Sequence, residues 1–310
     1  MIIFDVLHRE ASLLDPTTLM QVYNLLGVYY AMRGDLPMFT ELFNRLGALI
    51  SSGDALGLDD ALVLDPTSQV EPASCCPQGQ AQELRSAFSA MIFIELAVSL
   101  TKKAIPILDA SLLAKFRKLA AIHRRDTELN FIRARSALFL YDTQRLVGEG
   151  ANLEFGHPTG AAWSKRYWNL IEDIHTHLAI IDTPLIEVSF IHEAQVFTLK
   201  TCIIIALAAL AELYALFAPF QPESQRKRGE VMDQIAAITS MFAGKDFQYF
   251  DPTLGVCWAI ALRPLLGDER RPSWADFSAW QGGSATSLGI IRECFQRLSL
   301  ATPCVKSHVA

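Results

Sequence analysis

The residue types best suited to chemistry crowd into one stretch, "IEDIHTHLAIIDTPLIEVSFIHEA", residues 171–194 of a 310-residue chain. His175, His177, His192 and Glu193 are its candidate catalytic groups. An imidazole or carboxylate beside an apolar cavity can move a proton to or from a bound substrate. Glu172 and His175 are three residues apart, which places them on one helix face. Two-metal sites in helical bundles need that pair twice, with further carboxylates, and the second copy is missing. His192-Glu193 has no His four positions on, so it is not a zinc-protease motif. The stretch reads as a polar helix face, and no metal or cofactor is expected.

Other clusters are weaker. Asp59, Asp60 and Asp65 in "GLDDALVLD" loosely resemble a magnesium-binding acidic cluster. They fall in an expected loop, with no second carboxylate motif opposite. Nine Lys and Arg residues lie between Lys102 and Arg135, and "QRKRGE" follows at 225–230; solvated helix faces account for both. The net charge of −6 opposes direct nucleic-acid binding, which draws its affinity from excess Lys and Arg. There is no Gly-rich phosphate loop and no nucleophile elbow. Six cysteines include no Cys-x-x-Cys pair, and Cys202 and Cys257 sit in apolar runs like core residues. This usage points to a reducing, intracellular setting, nuclear or cytoplasmic. Tyr30, Phe93, Trp168, Phe197 and Trp258 are candidate lining residues of an apolar pocket for a small molecule.

The elements that must position these groups read as helices. Hydrophobic residues make up 51% of the chain, enough for a large core, and no alternating run with a tight hairpin turn is found. In "RGD", residues 33–35, Gly34 ends one helix and Asp35 caps the next, so the tripeptide is a hairpin turn rather than an adhesion loop. Asp15 before Pro16 caps the first helix of that hairpin. Leu19, Val22, Leu25, Leu26 and Tyr29 give its expected buried stripe. Leu36, Phe39, Leu42, Phe43, Leu46 and Leu49 give that of the second. A loop is expected at about 53–79, then helices at about 80–103, 110–122, 127–147, 159–181, 185–217, 223–242, 252–265 and 288–298, with a break at Pro184. "TCIIIALAALAELYALFAP", residues 201–219, is the most apolar stretch. Glu212 interrupts it, which predicts a buried core helix rather than a membrane span. The N-terminal run is too short and too acidic for a signal peptide. The expectation is all-α: a single compact multi-helix domain over residues 1–310, built of antiparallel hairpins around a buried apolar helix.

The order of segments resembles the regulatory, or middle homology, domain of fungal binuclear zinc-cluster transcription factors. The likeness rests on three places: "YYAMRGDLPMFTELFNRLGALISSGDALGLD" with its Leu56-Gly57-Leu58 step; "QELRSAFSAMIFIELAVSLTKKAIPILD", where Arg85, Phe88, Ile94, Glu95, Ser99, Pro106 and Asp109 fit; and "PESQRKRGEVMDQIAAITSMFAGKDFQYFDPTLGVCWAIALRPLL". The departures are Ser89, Leu96 and Asp59, where the family commonly has Trp, Arg and His. The six-cysteine DNA-reading cluster is also absent from this sequence.

The resemblance implies effector sensing and transcription regulation without a DNA-binding part of its own, linked to a metabolic pathway such as secondary metabolism. The expected partners are an apolar small-molecule effector or substrate and a protein partner or second copy, with no direct nucleic-acid or membrane contact. The alternative is a family member turned cofactor-independent biosynthetic enzyme of the cyclase or isomerase type. A pure interaction protein is the third reading.

Overall fold

The structure, a computed structural model, describes residues 14–51, 78–150, 158–188, 192–242, 251, 253–263 and 287–301. Every regular element among them is a helix: α1 (Pro16–Arg33), α2 (Leu36–Ser51), α3 (Gln78–Lys102), α4 (Ala110–Ile122), α5 (Leu129–Gly150), α6 (Pro158–Val188), α7 (Glu193–Phe217), α8 (Pro222–Ser240), α9 (Thr253–Leu262) and α10 (Ser287–Ala301). The all-α expectation holds. The acidic cluster at Asp59, Asp60 and Asp65, and most of the expected loop at 53–79, lie outside the described residues.

Local chemistry sets the first hairpin. Asp15 Oδ1 accepts from the Thr18 amide at 3.0 Å, and Pro16 occupies the first turn where its missing N–H costs nothing. Gly34 stands at φ 72°, the left-handed region, and ends α1. Its amide donates to Ala31 O and the Asp35 amide to Tyr30 O, the paired bonds that satisfy the last helical carbonyls. Asp35 Oδ1 then accepts from the Met38 amide at 3.2 Å. The "RGD" turn is thus a C-cap followed directly by an N-cap.

The buried stripe of α1 differs from the expected one. Leu19, Met20, Tyr23, Asn24 and Gly27 are buried, whereas Leu25 and Tyr29 are exposed. α1 is apolar on both sides, so periodicity could not choose between stripes. Two features of the chosen face explain the outcome. Gly27 has no Cβ, and a Cβ built there would lie 2.6 Å from the Phe43 ring, so only glycine lets α2 approach this closely. Asn24 Nδ2 donates to Ala87 O of α3 at 2.8 Å, a bond available only from that face.

The helices cluster into two compact units. One comprises the described residues up to Ser99 together with Ile105–Arg135; the other comprises Leu100–Ala104 and the described residues from Ser136 onward. In the first unit, Phe88, Phe116 and Phe131 form an edge-to-face chain joining α3, α4 and the start of α5. In the second, α7 packs against α6, α8 and α9, and α8 and α9 also contact α10.

α6 runs through Pro184 to Val188 without the expected break. A mid-helix proline loses one hydrogen bond and crowds the preceding turn, at about 3 kcal/mol. Here Pro184 is itself buried, as is Ile181 one turn earlier, and that packing offsets the loss. α6 ends at Val188, and α7 begins at Glu193.

Among the described residues, two helices, Gly79–Lys102 and Glu193–Phe217, are long and apolar enough to cross a membrane by length and composition; 61% and 72% of their most apolar windows are buried inside the protein. Each carries one buried glutamate held by the protein itself. Glu212 of α7 receives a two-pronged ion pair from Arg263, with both N–O distances 2.7 Å. Glu95 of α3 accepts from the backbone beyond its helix. Buried acids that take their hydrogen bonds from the protein are the mark of core helices.

Candidate functional site

α6 carries two of the four candidate catalytic groups and sends them apart. Residues two apart on a helix differ by about 200° around its axis, so His175 and His177 face different neighbours.

His177 points into the core and is 1% exposed. Its Nε2 lies 2.8 Å from Ser136 Oγ of α5, and its ring centroid is 5.2 Å from that of Phe139. A serine hydroxyl on an imidazole nitrogen is the arrangement of a nucleophile with its base. Acyl chemistry also needs a route for substrate to Oγ, and Ser136 is fully buried. Thr143, on the same face of α5 two turns on, is buried as well. The pair joins α5 to α6 through a polar bond.

His175 is exposed, and its Nε2 lies 3.1 Å from the Tyr214 hydroxyl of α7. Partial desolvation of the ring, then the Lys227 ammonium, hold this imidazole below the usual histidine range. Tyr214 is pushed upward by its burial, then by Glu230 and Glu223. Lys227 Nζ sits 5.8 Å from the Tyr214 ring centre. The cluster offers a neutral imidazole at pH 7, backed by a phenol and an ammonium, at the surface where α6, α7 and α8 meet.

His192 and Glu193 are exposed at the start of α7. His192 is the N-cap residue without a side-chain capping bond, and Glu193 lies in the first turn, where a carboxylate favours the positive end of the helix dipole. Tyr214 lies about 30 Å farther along α7 by helical rise. The four candidates therefore do not assemble into one constellation.

The candidate pocket residues divide similarly. Tyr30 and Phe93 belong to the first unit. Tyr30 meets Tyr29 edge-to-face at 5.2 Å, and Phe93 is buried beneath the Arg133 guanidinium, 4.1 Å from its ring centre. Trp168, Phe197 and Trp258 belong to the second. Trp168 is 56% exposed and sits edge-on to Tyr167; Phe197 meets Phe242; Trp258 is fully buried and donates Nε1–H to Thr239 Oγ1 at 3.0 Å. Tyr30 and Trp168 meet the adjacent ring of their own helix, whereas Phe93 and Trp258 contact a different helix.

The basic stretches are partly consumed internally. Arg135 is buried and donates to Arg124 O at 2.7 Å. In "QRKRGE", Arg226 pairs with both Glu223 and Glu230. No group of three or more His, Cys, Asp or Glu side chains placed to hold a metal occurs among the described residues. Cys202 and Cys257 are buried, and burial pushes the Cys257 thiol far up.

Sequence reading missed Ser136 and Tyr214 as partners of the two histidines. The available signal was Ser136 itself, a hydroxyl at the head of the apolar run "SALFL", a placement that calls for a polar neighbour. No family model, curated protein or solved structure matches the chain.

Proposed function

We propose that these 310 residues form an effector-sensing regulatory module acting in transcription control of a metabolic pathway, with an apolar small molecule or a partner protein as the input. The observation that carries this reading is the sealed Ser136–His177 pair. A potential nucleophile and base are used to tie two helices together rather than to face a substrate. Layers joined by a few specific polar bonds within apolar packing can hold two discrete arrangements, which is what sensing requires. The helical hairpin joined by the "RGD" turn supports this reading; its Leu56-Gly57-Leu58 step lies outside the described residues.

The test fuses the full chain to a heterologous DNA-binding module and reads a reporter gene, with and without apolar extracts of producing cells. An extract-dependent change in output is expected. Output equal to that of the DNA-binding module alone, under all extracts, overturns the reading.

A second reading keeps one observation of its own. The exposed His175–Tyr214 pair presents a neutral imidazole able to accept a proton, as an isomerase or cyclase base must. Under this reading, His175→Ala abolishes turnover of an apolar substrate while His192→Ala leaves it intact.

A further inference from the structure

Glu95 occupies a position that neither packing nor the proposed function accounts for. It lies on α3 near the C-terminal end and is fully buried. One carboxyl oxygen, Oε1, accepts from the Ile107 amide and from Ser99 Oγ at 3.4 Å, and the Leu108 amide also donates to the group. The other oxygen, Oε2, is buried with no hydrogen-bond partner. The carboxyl thus reaches beyond its own helix and clasps the connection that leads to α4. Leu108 is buried under that clasp, while Ile105, three residues before it, is 89% exposed.

We infer that Glu95 is a proton-operated clasp: protonated, it holds Ile107 and Leu108 down on α3, and loss of its proton favours release of the connection. The physical conflict is local. Ionisation strengthens the bonds from the two amides, but it leaves a charge in a buried place with one oxygen unpaired. Burial is the larger influence, and it raises the group to about 7, against the lowering effects of the Ile107, Leu108 and Ser99 donors. No charged side chain figures among those influences. Lys102 and Lys103 stand at the end of α3, Asp109 caps α4 through the Ser111 amide, and Arg133 of α5 lies over Phe93. Charge on the carboxyl is therefore uncompensated.

The sign follows from linkage. In the open connection Glu95 titrates near its ordinary value of 4.5, and in the closed one near 7. Between those values opening releases a proton, so the open fraction grows about tenfold per pH unit. Below the window both states are protonated, and above it both are ionised, so dependence vanishes at either side. The clasp is tightest in acid and reaches its loosest level near neutrality. This behaviour is independent of what the module binds.

The test measures amide hydrogen exchange of Ile107 and Leu108 in the full chain from pH 5 to 8, corrected for the intrinsic chemical rate, at several sub-denaturing urea concentrations. A parallel series uses Glu95→Gln, which keeps the acceptor and size but cannot ionise. In the native protein, protection is expected to fall about tenfold per unit up to pH ~7 and then level off, with little urea dependence. In Glu95→Gln it is expected to stay flat. A flat native profile overturns the clasp, and so does an equal fall in Glu95→Gln. Urea dependence as steep as that of α7 core amides overturns it too, because the connection would then open only with global unfolding.

Discussion

The α1–α2 turn and the α3–α4 connection face the same problem and solve it with different means. Each follows a helix that ends at a left-handed residue, Gly34 at φ 72° and Lys103 at φ 53°. In the first, glycine adopts that conformation without strain, and neighbouring backbone bonds plus the Asp35 side chain complete the turn within a few residues. In the second, a lysine takes a conformation that costs a non-glycine residue about 1 kcal/mol. The chain that follows is secured from a distance, by a buried carboxylate twelve residues before Ile107. A turn made of local bonds is closed by its own few residues. A connection held by one buried acid is conditional, because its fastening can change charge.

The comparison breaks most directly at Glu95. Glu95→Ala strands the Ile107 and Leu108 amides and leaves a void, and it is expected to cost about 3 kcal/mol in urea unfolding at pH 5. Glu95→Gln separates the acid from the acceptor. Native stability is expected to decline from pH 4.5 toward about 7, since the unfolded chain binds fewer protons than the folded one in that window. Glu95→Gln should lack that slope, so the variant gains on the native protein as pH rises. Unfolding curves at pH 5 and 7.5 measure both.

At the other turn, Gly34→Ala is expected to cost about 1 kcal/mol. A Cβ there meets nothing within 4 Å, so the cost is purely conformational and should not vary with pH. Asp35→Ala removes the cap of α2 and should cost about 1 kcal/mol. The smallest effect has the opposite sign. Lys103→Gly relieves the left-handed strain and is expected to stabilise by about 0.5 kcal/mol, net of the entropy that glycine adds to the unfolded chain. A destabilising result would mean that the lysine side chain contributes more than its backbone costs.

The same contrast explains what the sequence disclosed. Asp15, Gly34 and Asp35 were legible because caps act over three or four residues and leave a type-specific signature. The expected helix at 110–122 coincides with α4, and the structure adds Asp109 as its cap. The buried stripe of α1 was not, because both of its faces are apolar and only Phe43 and Ala87, far along the chain, decide between them. Pro184 misled because its local cost is visible in sequence while the compensating burial is not. At the candidate site, the four polar residues were visible as types. Their dispersal over a core bond, a surface pair and a helix start was fixed by α5 and α7, whose partners Ser136 and Tyr214 carry no motif. Glu95 showed only as an acid in an apolar helix, which does not reveal the backbone it would reach.

The Glu212–Arg263 ion pair has a consequence in time. Its partners are separated by 51 residues, so a ribosome adding roughly 5–20 residues per second finishes the arginine about 3–10 s after the glutamate. During that interval the most apolar helix of the chain exists with its acid unanswered. The acid of α7 waits for the arginine that follows α9, so a later part of the chain decides when an earlier helix may settle.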